Sequence, residues 1–340
     1  MSGTDVTKDG LVGERPGREA MIGAHGTTER LRAGRHRRRR GGEKLMVPPV
    51  EPVSYYGRPV IKAPVWSARD IAGYLFTGGL AGASSVVAAG ATLTARPALA
   101  RGAKVTALGA VSVSGVLLVH DLGRPERFYN MLRVFKATSP MSVGSWLLAG
   151  YAPAAGVSAF TDVTGAYPRV GRLATVAAAL VGAGVASYTA VLIADTAVPA
   201  WHEGFRELPF VFAGSATMAA SGMALIVAPV SETLPVRRAA VLGAVVELAA
   251  GRRLESHGVV SEPYETGQGA RLLKLSRGLV IGGAVGAAVL GGRSRVAAGL
   301  AGAALLAGSA CTRFGIFQAG MDSADDPKYT LQPQRERMTP

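Results

Sequence analysis

Five ionisable side chains arrive within eight positions at the end of a long uncharged run. His120, Asp121, Arg124, Glu126 and Arg127 follow a stretch from Val105 to Val119 that carries no charge. A histidine beside a carboxylate can give and take protons, and the end of an apolar run places that pair where hydrocarbon meets water. The segment Asp121-Leu-Gly-Arg-Pro125 stops the helix it ends: Gly123 tolerates a left-handed C-cap, and Pro125 biases Arg124 away from helical dihedrals. Tyr188 precedes Asp195 by about two helical turns inside another apolar segment, and Trp201, His202, Glu203 and Glu207 follow closely. Glu247 is the one acid well inside an apolar stretch, and intramembrane carboxylates often mark proton routes. Each of these residues also has a plainer reading. Asp121 can cap a turn and pair with Arg124 or Arg127, and His120 can bond a backbone carbonyl. Tyr188 can join helices, Trp201 and Tyr151 can belong to an interfacial aromatic belt, and Arg252 or Arg253 can draw Glu247 towards an interface.

The elements that must position these groups are apolar runs of about twenty residues, the length needed to cross roughly 30 Å of hydrocarbon. They lie near 71–94, 103–120, 142–160, 171–194, 208–230, 237–250, 276–292 and 295–312, the sixth being short and holding Glu247. The predicted fold is all-α: a polytopic membrane protein of about eight transmembrane helices. Gly78 with Gly82, and Gly278 with Gly282 and Gly286, have the small-residue spacing that lets helices approach closely. Alternating traversal puts the start of helix 1, the end of 2, the start of 3, the end of 4 and the start of 5 on one face. That face collects Asp70, Tyr74, His120, Asp121, Ser142, Ser145, Tyr188, Asp195 and Trp201. Residues 1–66, Arg-rich and then Pro-punctuated, read as a disordered basic cytoplasmic tail without a signal peptide; 67–320 form the transmembrane domain and 321–340 a C-terminal tail.

Composition narrows the function. With 49% hydrophobic and 18% charged residues and 45 glycines, the chain reads as a membrane protein. The net charge of +14 does not imply nucleic-acid binding, because residues 1–69 hold fourteen Lys/Arg against seven Asp/Glu, half of the excess. The run His36-Arg-Arg-Arg-Arg40 reads as a solvated or lipid-facing tail. A single cysteine, Cys311, excludes a disulfide framework and any iron–sulfur cluster within the chain. Only His120 of the five histidines touches a span, so no haem is expected, and no metal site is read. The Lys/Arg distribution favours cytoplasmic termini, giving a multi-pass protein of the cell membrane.

The run DLGRPERFYNMLRVFK followed by TSPMSVGSW (121–146), with SYTAVLIADTAVPAWHEGFRELPFVFAGSATMAASG (187–222) and FGIFQAGMDSADDPKYTLQPQRER (314–337), resembles the NrfD family, which includes the membrane subunit of polysulfide reductase. The resemblance covers roughly residues 70 to 337. It implies two successive four-helix bundles and a quinone-handling membrane anchor, paired with an iron–sulfur ferredoxin-like subunit and a molybdopterin catalytic subunit. The quinone type, menaquinone or ubiquinone, stays open. Reducing a quinone takes two electrons and two protons, and its carbonyls need hydrogen-bond donors, which the polar face could supply. Asp121, His120 and Tyr188 are then the expected catalytic groups, with Tyr74, Ser145 and Trp201 around the quinone and Glu247 and Asp195 on a proton pathway. Two other readings stay open: a proton- or ion-translocating transporter-like module, and a passive anchor without quinone chemistry.

Overall fold

A computed structural model describes residues 5–7, 10–12, 60–62 and 64–338. The chain divides into two compact units, Met1–Gly57 and Arg58–Pro340. In the first, the described residues form an antiparallel hairpin pairing Asp5–Thr7 with Gly10–Val12. The rest of the expected tail up to residue 59 lies outside the described residues.

The second unit is helical. Its long helices are α1 (Ala68–Leu93), α2 (Pro97–Asp121), α3 (Pro140–Thr164), α4 (Pro168–Ala194), α5 (Leu208–Val227), α6 (Leu234–Leu254), α7 (Gly267–Val289) and α8 (Arg295–Asp325). Local sequence sets their ends. Ser67 caps α1 by accepting from Asp70 N at 3.4 Å, and Ser139 and Ser294 cap α3 and α8 in the same way. Proline opens α2, α3 and α4, where a missing N–H costs no helical bond. α2 stops as its sequence predicts: Gly123 takes φ +67° and its N–H bonds His120 O at 3.1 Å.

Helix pairs in contact close two rings. In the first, α1 packs on α2 and α4, and α3 packs on α2 and α4; in the second, α5 packs on α6 and α8, and α7 packs on α6 and α8. The rings meet where α5 lies against α1, α2 and α4, and where α8 lies against α1. Glycines set the closest crossings. A Cβ at Gly82 would run into Gly182 O of α4, one at Gly214 would lie 2.7 Å from Gly243 O of α6, and one at Gly222 would lie 2.6 Å from Gly302 O of α8. The expected contact at Gly82 therefore forms. Gly278 and Gly282 do not share that role: a Cβ there meets nothing within 4 Å, and their neighbour Gly283 makes the contact with α8 instead.

Six of the helices, α1, α2, α4, α5, α7 and α8, are long and apolar enough to cross a membrane. Their outward faces are apolar, with Val113, Leu173, Leu180, Val285 and Leu300 all at least half exposed. Water would penalise such a surface and lipid does not. Where eight spans were expected, six helices among the described residues have the length and apolarity of a span. α3 dilutes its apolar residues with serine, threonine, glycine and proline, and α6 carries Arg237, Arg238, Glu247, Arg252 and Arg253. The ends also differ from expectation. α7 begins at Gly267 rather than 276, and α8 continues past 312, and past the boundary expected at 321, to Asp325. In both, polar residues on one face end the apolar run while the helix continues. A further helix, Lys328–Met338, lies in the expected C-terminal tail.

Candidate functional site

The start of α1, the end of α2, the start of α3 and the end of α4 converge on one cleft with a cavity volume of about 50 Å³, partly open to the surroundings. Tyr74 comes from α1, Asp121 from α2, Ser145 from α3 and Tyr188 from α4. The alternating traversal predicted from sequence therefore brings these four together. Between them the walls are apolar, including Met131, Met141, Leu148 and Leu192. Tyr74, Ser145 and Tyr188 are buried, and Asp121 is half-buried. The Tyr188 ring lies flat against Gly144, where any Cβ would occupy the space of its phenol. Tyr74 interacts with Tyr188 across the α1–α4 contact. Ser145 spends its proton on Met141 O at 2.8 Å, so its oxygen keeps only acceptor capacity.

At the mouth, Asp121 Oδ1 accepts from Ser67 N at 3.4 Å, tying the end of α2 to the cap of α1. His120 does not line the cleft. Its ring points outward, three-quarters exposed, with Nδ1 3.1 Å from Oδ2 of the buried Asp70. Asp70, His120 and Asp121 thus form a carboxylate–imidazole–carboxylate group at the rim. Sequence placed Asp70 on this face without seeing its pairing with His120. The two carboxylates are close enough to repel, with the imidazole beside them.

Trp201 stands one layer behind the cleft rather than on it. It is fully buried, donates Nε1–H to Ile316 O at 2.8 Å, and stacks on Trp66 with centroids 6.0 Å apart. Trp66 is the ring that lines the cleft, and Trp201 stacks behind it. The same contacts place Trp201 in the core and not in an aromatic belt.

These features fall within a stretch that matches a known family. A family model described as polysulphide reductase, NrfD, matches residues 61–241, more than half of the 340-residue chain. The chain belongs to the NrfD family. A search of curated proteins returns no match. The NrfD match contains the whole cleft and ends inside α6, so the resemblance in 314–337 lies beyond it.

The other residues expected to act lie apart from the NrfD cleft. Asp195 is exposed at the C-cap of α4 and lines neither this cleft nor the one at Glu247. Glu247 is buried in the second ring, where Thr312 Oγ1 donates to its Oε1 at 2.7 Å. It is not drawn to an interface by Arg252 or Arg253. Its counter-charge is Arg313, which lies one residue past the expected end of the last span at 312 and so was not expected in the bundle core. Arg313 is fully buried, donates Nη2–H to Phe212 O at 2.7 Å and stands 3.6 Å from the Phe212 ring centroid. The signal that could have found it is an arginine inside an otherwise apolar run, a costly placement that requires a partner. The described residues hold no group of three or more potential metal ligands.

Proposed function

We propose that this membrane protein is the quinone-handling subunit of an oxidoreductase complex, passing electrons between an iron–sulfur partner and membrane quinone. The observation that carries this reading is the cleft itself: a narrow apolar slot lined by two phenols and a carboxylate. A quinone headgroup is a flat apolar disc with an acceptor at each end, and those residues fit it. Tyr188 offers an O–H to a ring oxygen, Met131, Met141 and Leu192 cover the faces, and Asp121 stands at the mouth, where water can reach it. Bound quinone would supply the two-electron, two-proton redox couple. The chain's own residues orient the ring, exclude bulk water and move protons. Asp121 takes or gives the proton, and the Asp70–His120 pair beside it connects the mouth to solvent.

The partner in this reading is a ferredoxin-like subunit, with a molybdopterin subunit beyond it. Its docking surface is the basic loop 124–136, whose Arg124, Arg127, Arg133 and Lys136 lie beside exposed Tyr129 and Phe135. Met131 of that loop also lines the cleft, so docking there would bring redox centres close to the ring. The proposed site is the cell membrane, with eight crossings in two four-helix bundles and cytoplasmic termini.

Asp121→Asn tests the reading in the assembled complex, because it preserves shape while removing the titratable group. Electron transfer from the partner to a soluble dye should survive, and quinone-linked turnover should fall by about 10²-fold or more, the scale of a lost general acid–base group. Unchanged quinone turnover in an intact complex would refute Asp121 as the proton-exchanging residue and favour a passive anchor.

A further inference from the structure

The second ring contains a cleft of its own. It lies among α5, α6, α7 and α8, has a cavity volume of about 150 Å³, and is lined by Glu247, Leu248, Leu273, Ser276, Ile281 and Thr312 among others. The hydrogen bonds at its floor can be counted. Ser276 Oγ lies 2.8 Å from Gly308 O and 2.6 Å from Thr312 Oγ1, and Thr312 Oγ1 lies 2.7 Å from Glu247 Oε1. Thr312 gives its one proton to Glu247, and Ser276 shares its one between Gly308 O and Thr312 Oγ1, so neither hydroxyl has a proton left to offer. What remains open is an acceptor. Glu247 Oε2 is buried and has no partner at hydrogen-bond distance among the described residues, while the Ser215 hydroxyl also acts on this carboxylate.

A buried carboxylate oxygen without a donor is expensive, so the site calls for a group that brings one. Arg313 balances the charge of Glu247 but does not line the cleft, and its Nη2–H is committed to Phe212 O. The rim holds Arg252 beside the Arg277–Glu255 pair, so the entrance is basic. On α6 and α7, Leu242, Val245, Ile281 and Val285 are exposed and apolar, and Ile281 also lines the cleft. A mainly apolar slot with a basic rim and one open acceptor at its floor fits an amphipathic molecule carrying a hydroxyl donor.

We propose that this cleft is a second binding site, for a hydroquinone-class lipid that donates an O–H to Glu247 Oε2. The assignment of ligand class rests on the reading of the first cleft as a quinone site. The two sites differ in kind: the first offers phenol donors to carbonyl oxygens, and the second offers an acceptor to hydroxyls.

Binding of decylubiquinol to the purified full chain in nanodiscs, measured anaerobically by equilibrium dialysis, tests this. Wild type should take up two equivalents. Gly251→Phe should reduce that to one: Gly251 lines the second cleft, and a Cβ there meets nothing within 4 Å, so the ring fills the slot without displacing a helix. Glu247→Gln should weaken one of the two equivalents about tenfold or more. Gly144→Ala, which displaces Tyr188 in the first cleft, should leave the Gly251-sensitive equivalent intact. Thermal unfolding of each variant confirms that it is folded. A single wild-type equivalent lost only in Gly144→Ala overturns the second site while the first stands. A single equivalent lost only in Gly251→Phe and Glu247→Gln supports the second site and removes the first. Two equivalents unaffected by Gly251→Phe and Glu247→Gln also overturn the proposal.

Discussion

Tyr188 owes its position to a residue with no side chain. The phenol lies where any Cβ on Gly144 would be, so α3 can carry only glycine at that level if α4 is to present its tyrosine to the cleft. Gly144→Ala should therefore move the ring rather than unfold the bundle, raising the KM for quinone with a smaller effect on kcat. Tyr188→Phe keeps the ring in place and removes only its O–H. That loss should weaken quinone binding by several-fold, the scale of one neutral hydrogen bond, and titration of quinone-linked turnover checks both variants. Glu247 and Arg313 make a different residue-scale case. Arg313→Met leaves Glu247 buried without its counter-charge and should cost about 3–5 kcal/mol of stability. The double variant Glu247→Gln with Arg313→Met should recover most of it, because removing both charges is far cheaper than removing one. Denaturant or thermal unfolding in detergent reads the difference, and a double variant as unstable as the single would show that the two residues do not act as a pair.

At the scale of elements, small residues decide how closely helices cross. At Gly82, α1 meets the backbone of α4 so tightly that Gly82→Val forces the helices apart, at about 1–3 kcal/mol. Gly278→Ala faces open space and should be neutral or stabilising by up to about 1 kcal/mol, the helix-propensity gain over glycine. The contrast between the two in thermal unfolding tests which glycines are interface residues. Spacing alone could not separate them, because Gly78/Gly82 and Gly278/Gly282 share the same period and differ only in which face a neighbour covers. The stop at Gly123 and the meeting of Tyr74, Asp121, Ser145 and Tyr188 were legible, since helix length and alternation fix which ends share a face. The depth of Arg313 and the stacking of Trp66 on Trp201 were not. Both depend on side chains from segments more than a hundred positions apart.

For the whole molecule, the question is how many helices cross the membrane. Six have the length and apolarity for it, and the proposed eight crossings add α3 and α6. α3 starts at the cleft beside the end of α2, and its far end reaches the start of α2, where Asp162 pairs with Lys104 at 2.7 Å and with Arg101 at 3.2 Å. It therefore runs antiparallel to a candidate span over the same thickness. α6 likewise runs from Arg237, which lies against Gly292 at the α7–α8 turn, to Leu254, packed against Gly204 just before α5. With eight crossings the turns at Ala95, Ala166 and Ser294 all lie on the face opposite the start of α1 and the end of α8. The proposed orientation, with the tails inside, rests on the Lys/Arg count, and burying Arg313 in the bundle removes one charge from that count without altering the balance. In a Cys311→Ser background, cysteines at Thr4, Ala95, Ala166, Ser294 and Thr339 can be labelled with an impermeant reagent in intact cells. Ala95, Ala166 and Ser294 should react, and Thr4 and Thr339 should react only after lysis. Protection of Ala166 with labelling of Ala95 would mean that α3 does not cross, and labelling of both termini in intact cells would invert the orientation.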